Sequence, residues 1–322
     1  MSKTAKIIVL SIVGALLCAV LVWGIVIRNV VFIPFGPYFG GVERSNSTEV
    51  TKQSEFEADV QGIQSIYLDL ISERVDVVAT NDSKIRVEET SNTVLRQEDI
   101  MQCSVNGSTL LVSSGLRDNN WLSWTSFGDI RVTLYLPTSY QNNIGLHTVS
   151  GEISAQDLRA AELKIDSTSG TIKATNIQAN TANMSSISGE MNLRDVSSGS
   201  IDMHETSGNI RLKGGSFDKV AAHSTSGEIA LEAQKMGSID AGSTSGTVNA
   251  SVDEMPAKIS VGTVSGEVTL ELPENDGFTL KTNTVSGDVN NDFAVAHGVY
   301  KEGGQNSIEV GTTSGSITII KK

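Results

Sequence analysis

Three of the four histidines, His147, His204 and His223, could bind a metal or carry a proton, and they share one position. Each stands four residues before a glycine that follows a serine. Neutral imidazole is a common ligand for zinc and copper. Asp166 and Ser185 hold the same position in the units between them. If the units stack, His204 and His223 become neighbours. Sequence spacing supplies no third ligand beside them, so the column reads as a solvated polar face, with no metal and no cofactor expected.

Carboxylates are the second candidate chemistry, because a pair of them can hydrolyse a glycosidic bond. Glu152, Glu190, Glu228, Glu267 and Asp288 each directly follow one of these glycines. Thr171, Asn209 and Thr247 take that place in intervening units and separate the early acids, and no aromatic sugar platform lies among the repeats. A charged outward column that keeps the protein soluble fits better, and no catalytic residue is assigned. The calcium-binding nonapeptide of repeat rolls is absent. Residues 115–128, GLRDNNWLSWTSFG, hold Trp121, Trp124 and Phe127. Such a cluster reads first as a seal on the end of the solenoid, part of the cap, with an interaction loop as the alternative. Cys18 lies in an apolar run and Cys103 far outside it, so no disulfide framework exists. Cys103 reads as a small buried hydrophobe.

The glycines that order these positions define the fold. Ser-Gly recurs with its glycine at Gly151, Gly170, Gly189, Gly208, Gly227, Gly246, Gly266, Gly287 and Gly315. The first five spacings are all 19 residues, which marks a solenoid or array. Two residues after each glycine stand Ile153, Ile172, Met191, Ile210, Ile229, Val248, Val268, Val289 and Ile317, all apolar. Four residues after it the column is apolar except for Asn291. This alternation predicts a strand with one buried face. A second strand follows in each unit, with inward pairs such as Leu163/Ile165, Ile201/Met203 and Ile308/Val310. One unit cannot bury its apolar face alone, but stacked units can. The glycine is expected at a corner that needs positive φ or a close backbone approach. The residue before each serine is β-branched: Val149, Thr168, Ile187, Thr206, Thr225, Thr244, Val264, Val285 and Thr313. Alternation points it outward, while its aliphatic members hint at burial and a bulge. The expected architecture over residues 144–322 is all-β, a single-stranded parallel β-solenoid with right-handedness taken as the prior.

Residues 61–143 carry further strand patterns, with Ile66, Leu68 and Leu70 alternating before Ser72-Glu73, and are expected to cap the first rung. The chain ends on Ile317, Ile319 and Lys321-Lys322, where lysines are expected to blunt the open sheet edge. Ile7 to Ile27 is a 21-residue uncharged run preceded by Lys3 and Lys6 and closed by Arg28. At 1.5 Å per residue it spans a hydrocarbon core of about 30 Å. Residues 1–28 therefore read as an uncleaved signal anchor with the N-terminus cytoplasmic and residues 29–322 outside. A cleaved signal or a lipidated Cys18 fits less well. Residues 29–60 read as an aromatic interfacial stretch and a polar linker. The net charge is −13, and the +3 of the first 28 residues leaves −16 on the rest, which disfavours nucleic acid as a partner.

The T/S-x-S-G-x-I units, the strand before each and the N-terminal anchor resemble a bacterial family of candidate adhesins that includes the LiaG-like membrane proteins. The resemblance covers most of residues 60–322. It implies a β-solenoid surface domain, a bacterial source and, for some members, a link to envelope stress. It supplies no catalytic residues. The reading that follows is a membrane-held interaction protein whose partner is a surface protein or glycan. A regulatory protein that binds other membrane proteins is the alternative, and a polysaccharide-active enzyme ranks last.

Overall fold

The computed structural model describes residues 50–115, 129–301 and 304–322. The anchor at 7–27, the interfacial stretch and Trp121, Trp124 and Phe127 lie outside the described residues. Among the described residues there are 22 strands, and no helix is long and apolar enough to cross a membrane.

Each turn of the chain gives one strand to each of two parallel stacks. Arg159–Ser167 pairs with the next turn at a register of 19, Leu163 on Ala182 and Ile165 on Met184. The second strand does the same, Ile210 on Ile229 and Leu212 on Leu231. The segment Ile172–Lys213 is extended without interruption through two turns. Identical register stacks like residue on like, so the inward positions merge into one apolar column. Ile165, Ile172, Ile201, Ile210, Val220 and Ile229 are all fully buried. Each such side chain contributes about 1.5–3 kcal/mol on leaving water.

Alternation persists to the corner without a bulge. Ser167 is buried, Thr168 and Ser169 both face outward, and Gly170 turns back in. The β-branched position is therefore outward, and Ile187 is 50% exposed.

Space and sequence part company at both ends. At the first end, Ser65–Leu70 is not outermost. It lies between Thr109–Ser113 and Asn143–Thr148. In the second stack Arg74–Thr80 lies between Ile130–Pro137 and Ile153–Gln156. Antiparallel strands then close this end: Gln102–Asn106 on Thr109–Ser113, and Lys84–Ser91 on Ile130–Pro137. Thr51–Asp59 pairs antiparallel with Lys84–Ser91, so the last part of the expected linker is a strand. Phe56 and Val60 explain it, since both pack against the core.

At the other end the last strands of the sequence are internal. Asn306–Ser314 lies between Lys258–Ser265 and Phe278–Ser286. Ile317–Lys321 lies between Val268–Leu272 and Val289–Asn291. The rung at 278–291 is therefore the outer one, and the expectation that the final lysines blunt an open edge is corrected. Asn291 breaks the apolar column because no strand among the described residues stacks beyond it, and Val289 is exposed for the same reason. Phe278, Phe293 and Tyr300 close this end, with ring centroids 4.9–5.2 Å apart.

Candidate functional site

The corner is built from three residues. A Cβ on Gly208 would lie 1.8 Å from the carbonyl oxygen of Gly189, and one on Gly227 would lie 1.8 Å from that of Gly208. Glycine stacked on glycine at this distance leaves no room for a side chain. Gly227 also has φ of 139°, a conformation other residues rarely adopt. The buried hydroxyl three residues earlier holds the turn: the Gly170 amide donates to Ser167 Oγ at 2.8 Å, and the Gly151 amide to Thr148 Oγ1 at 3.0 Å. Glu73, at the equivalent corner of its rung, accepts from the amides of Ile71 and Ser72 at 2.9 and 2.7 Å.

One member of the hydroxyl column is a carboxylate. Glu205 stacks on Ser224 and is buried. Burial pushes its carboxyl up to about 7, and the amides of Ser207, Gly189 and Thr206 and the Ser186 hydroxyl oppose that only in part. None of them meets hydrogen-bond geometry, and both oxygens are left without a partner.

The outward face of the second stack carries the acids. Glu152 pairs with Arg74 at 2.7 Å and with Lys173 at 2.9 Å. Arg211 bridges Glu190 and Glu228 from the rung between them, at 3.4 and 3.7 Å. These acids alternate with Thr171, Asn209 and Thr247, so along the stack they recur every second rung, roughly 10 Å apart. They are solvated and matched by bases. The carboxyls of Glu152 and Glu190 sit below their ordinary value; at Glu152 burial pushes upward but is outweighed by the hydrogen bonds and charges of Lys173 and Arg74 together, and at Glu190 a hydrogen bond from Asn192 leads. A shallow groove of about 280 Å³ crosses this face between Arg211, Lys213, Glu232, Asn249 and Glu271.

The outward face of the first stack carries the histidines. His147, Asp166, Ser185, His204 and His223 form one column by register. His204 and His223 are brought together, their rings stacked 5.6 Å apart at 20°. His147 is three rungs away, 3.9 Å from Asp69. The structure adds a residue that the sequence reading missed: Asp202 Oδ1 lies 2.9 Å from His204 Nε2. The signal was present, since two residues apart on a strand means the same face. Contact with Asp202 raises the His204 pKa, and burial lowers that of His223. Cys103 is half-buried, and burial pushes its thiol up to about 12, so it is not a nucleophile at neutral pH.

The fold has solved counterparts. A candidate adhesin from Parabacteroides merdae ATCC 43184 superposes with a TM-score of 0.52 at 13% identity, covering 85% of this chain and 97% of its own. A candidate lipid-binding protein from Parabacteroides distasonis ATCC 8503 gives 0.51 at 16% identity, covering 84% and 96%. At such identities the likeness is one of fold. No curated protein matches the chain. The Toastrack DUF4097 family model matches residues 63–261 and again 236–320, a span that includes every glycine corner. The chain thus belongs to the Toastrack DUF4097 family.

Proposed function

We propose that this protein is a non-enzymatic, surface-displayed interaction module. In this reading residues 7–27 hold it in the cell membrane, residues 29–322 face outward, and the solenoid presents a long rigid surface to a protein or glycan. One observation carries the reading. The β-branched position of every corner is outward, so Ile71, Val149, Ile187, Val264 and Val285 line up with the corner threonines as a continuous ridge. Ten rungs at the usual strand spacing make it about 43 Å long. Exposed aliphatics interleaved with threonines on a rigid frame suit a partner that makes many small contacts. The adhesin label of the solved counterpart supports the same class of role.

The test is cross-linking and capture from intact producing cells. Wild type is compared with Val149→Glu/Ile187→Glu/Val264→Glu and with Trp121→Ala/Trp124→Ala. Loss of a specific partner in the ridge variant is expected. Loss in the tryptophan variant alone moves the contact to the 115–128 loop. Capture of membrane proteins untouched by either variant would instead favour the envelope-stress regulatory role of LiaG-like proteins, acting through residues 7–41.

A further inference from the structure

The outward face of the first stack carries one aromatic plate. Tyr67 is 39% exposed, and among the described residues no other tyrosine or phenylalanine is exposed. It stands ahead of the repeats, on Ser65–Leu70, and points outward because Ile66 and Leu68 on either side of it point in. Its partner on the next strand is Gly145. A Cβ on Gly145 would lie 2.6 Å from Tyr67 Cδ2 and 3.2 Å from Cε2. The nearest backbone atom, the Ile66 carbonyl oxygen, is 3.8 Å away, and φ at Gly145 is not positive. What the missing side chain makes room for is therefore the ring, which lies across the neighbouring strand. A tyrosine laid flat buries one face and shows the other.

Polar groups edge the plate. Lys164 is opposite Gly145 on the far side from Tyr67, and Asp69, His147 and Asp166 form the next column of the same face. Lys164 Nζ lies 3.2 Å from Asp166 Oδ2, and His147 Nε2 lies 3.9 Å from Asp69 Oδ1. The side chains of Asp69 and Lys164 are more than half exposed, so both can take further hydrogen bonds. Burial and then the charges of Asp69 and Asp166 raise the Tyr67 phenol above its ordinary pKa, against Lys164. The phenol thus feels charges on both sides of Gly145, as a ring laid across it must. On the other flank Leu111, opposite Tyr67 and half-buried, extends the apolar surface.

We propose that Tyr67 and this polar edge bind one pyranose unit of a neutral polysaccharide, its C–H face on the ring and its hydroxyls on Asp69, His147, Lys164 and Asp166. A pyranose has the matching anatomy, a flat face of C–H groups bounded by hydroxyls that each donate and accept. Carboxylates accept from such hydroxyls and lysine donates to them. Two carboxylates against one lysine, on a body of net negative charge, disfavour uronic acids and phosphate polymers. An open plate, unlike a closed pocket, takes a unit in the middle of a chain as well as one at its end. The proposal rests on the reading of an outward-facing interaction module and names a glycan as its partner.

The test uses the full chain in detergent micelles over surfaces of immobilised dextran, galactomannan and β-glucan, with polygalacturonate as the anionic comparison. Saturable binding to at least one neutral polymer is expected, competed by the same polymer in solution and stronger than binding to polygalacturonate. Tyr67→Ala should weaken it roughly tenfold or more, while Tyr67→Phe, which keeps the ring, should stay within about threefold of wild type. Gly145→Ala should also weaken it, because the added methyl lifts the ring from the sheet. Val149→Glu/Ile187→Glu/Val264→Glu should bind the polymer as wild type does. Far-UV circular dichroism checks that each variant keeps its β signal, and Tyr67→Gln replaces Tyr67→Ala if that one does not. Binding to none of the three neutral polymers overturns the proposal, as does a preference for polygalacturonate or full binding by Tyr67→Ala. If the cell-capture experiment still finds a partner that the ridge variant loses, the interaction module stands and only the sugar site falls.

Discussion

A single glycine shows what the stack demands. Gly208 faces the Gly189 carbonyl at a distance that no Cβ tolerates, whereas the nearest atom to a Cβ on Gly311 is 3.8 Å away. Gly208→Ala should therefore cost about 3 kcal/mol or more. Gly311→Ala should stay within about 1 kcal/mol of wild type. Urea denaturation measures both, and equal effects would contradict the close-stacked corner. Glu205 is the opposite case, a residue the stack does not need. Glu205→Ser restores the hydroxyl of its column and removes two unpartnered buried oxygens. It should raise the melting temperature at pH 7.5, while Glu228→Gln, on the solvated face, should leave it unchanged. The corner glycines were readable because their need recurs at a fixed interval. Glu205 was not singled out, because a lone acid in a column of hydroxyls looks like ordinary variation until its burial is known. Asp202 was hidden differently: its partner His204 stands two residues on along the same strand, and a spacing that short drew no notice until the contact was seen.

At the scale of the strand and rung, the sequence set the inward pairs and the corners but not the order of the end rungs. Near-identical rungs can stack on one another in any order, so periodicity alone carries no such information. Composition did carry it. An interior rung needs apolar residues on both of its strands, as Ile308, Val310, Ile317 and Ile319 provide, while Thr282 and Asn291 suit only an outermost one. Ile319→Asp should accordingly cost more than about 3 kcal/mol, against less than about 1 for Val289→Asp. Thermal or urea unfolding compares them, and a reversed ranking would put the final strands at the edge. The same end has a pH signature. Glu274 accepts from Lys301, Lys321 and Tyr300, and these contacts hold its carboxyl down at about 2. A lowered folded-state pKa means that the contribution is full above about pH 4.5 and is lost as pH falls towards 2. Wild type should lose more melting temperature between pH 5 and pH 2.5 than Glu274→Gln does. Equal losses would mean that the cluster ties nothing together. At the first end, Thr51–Asp59 reads as linker from its polar composition of Ser, Thr, Glu and Gln. Its cross-strand pairs, Lys84 with Glu57 and Arg86 with Glu55, show why a charged outer strand is stable there.

The described residues of the repeat region form one stack with two polar faces, a ridge of aliphatic and threonine side chains at its corners and strands exchanged in order at both ends. The exchange places the last strands of the chain under an earlier rung, so the terminal rungs are held by neighbours distant in sequence. The net charge of −16 on residues 29–322 and the ion pairs along the second stack keep that outer face solvated. The central claim is the in-register parallel stack with its exchanged end, and disulfide trapping tests it most directly. Thr269 pairs with Thr318, and Thr318 with Asn290, so Thr269 and Asn290 are two rungs apart. Cysteines can bridge only when their Cα atoms lie within about 7 Å. With Cys18 and Cys103 replaced by serine, Thr269→Cys/Thr318→Cys should oxidise readily, and Thr269→Cys/Asn290→Cys should not. A bond in the second pair and none in the first would mean that the rungs stack in sequence order and that the account of this end is wrong.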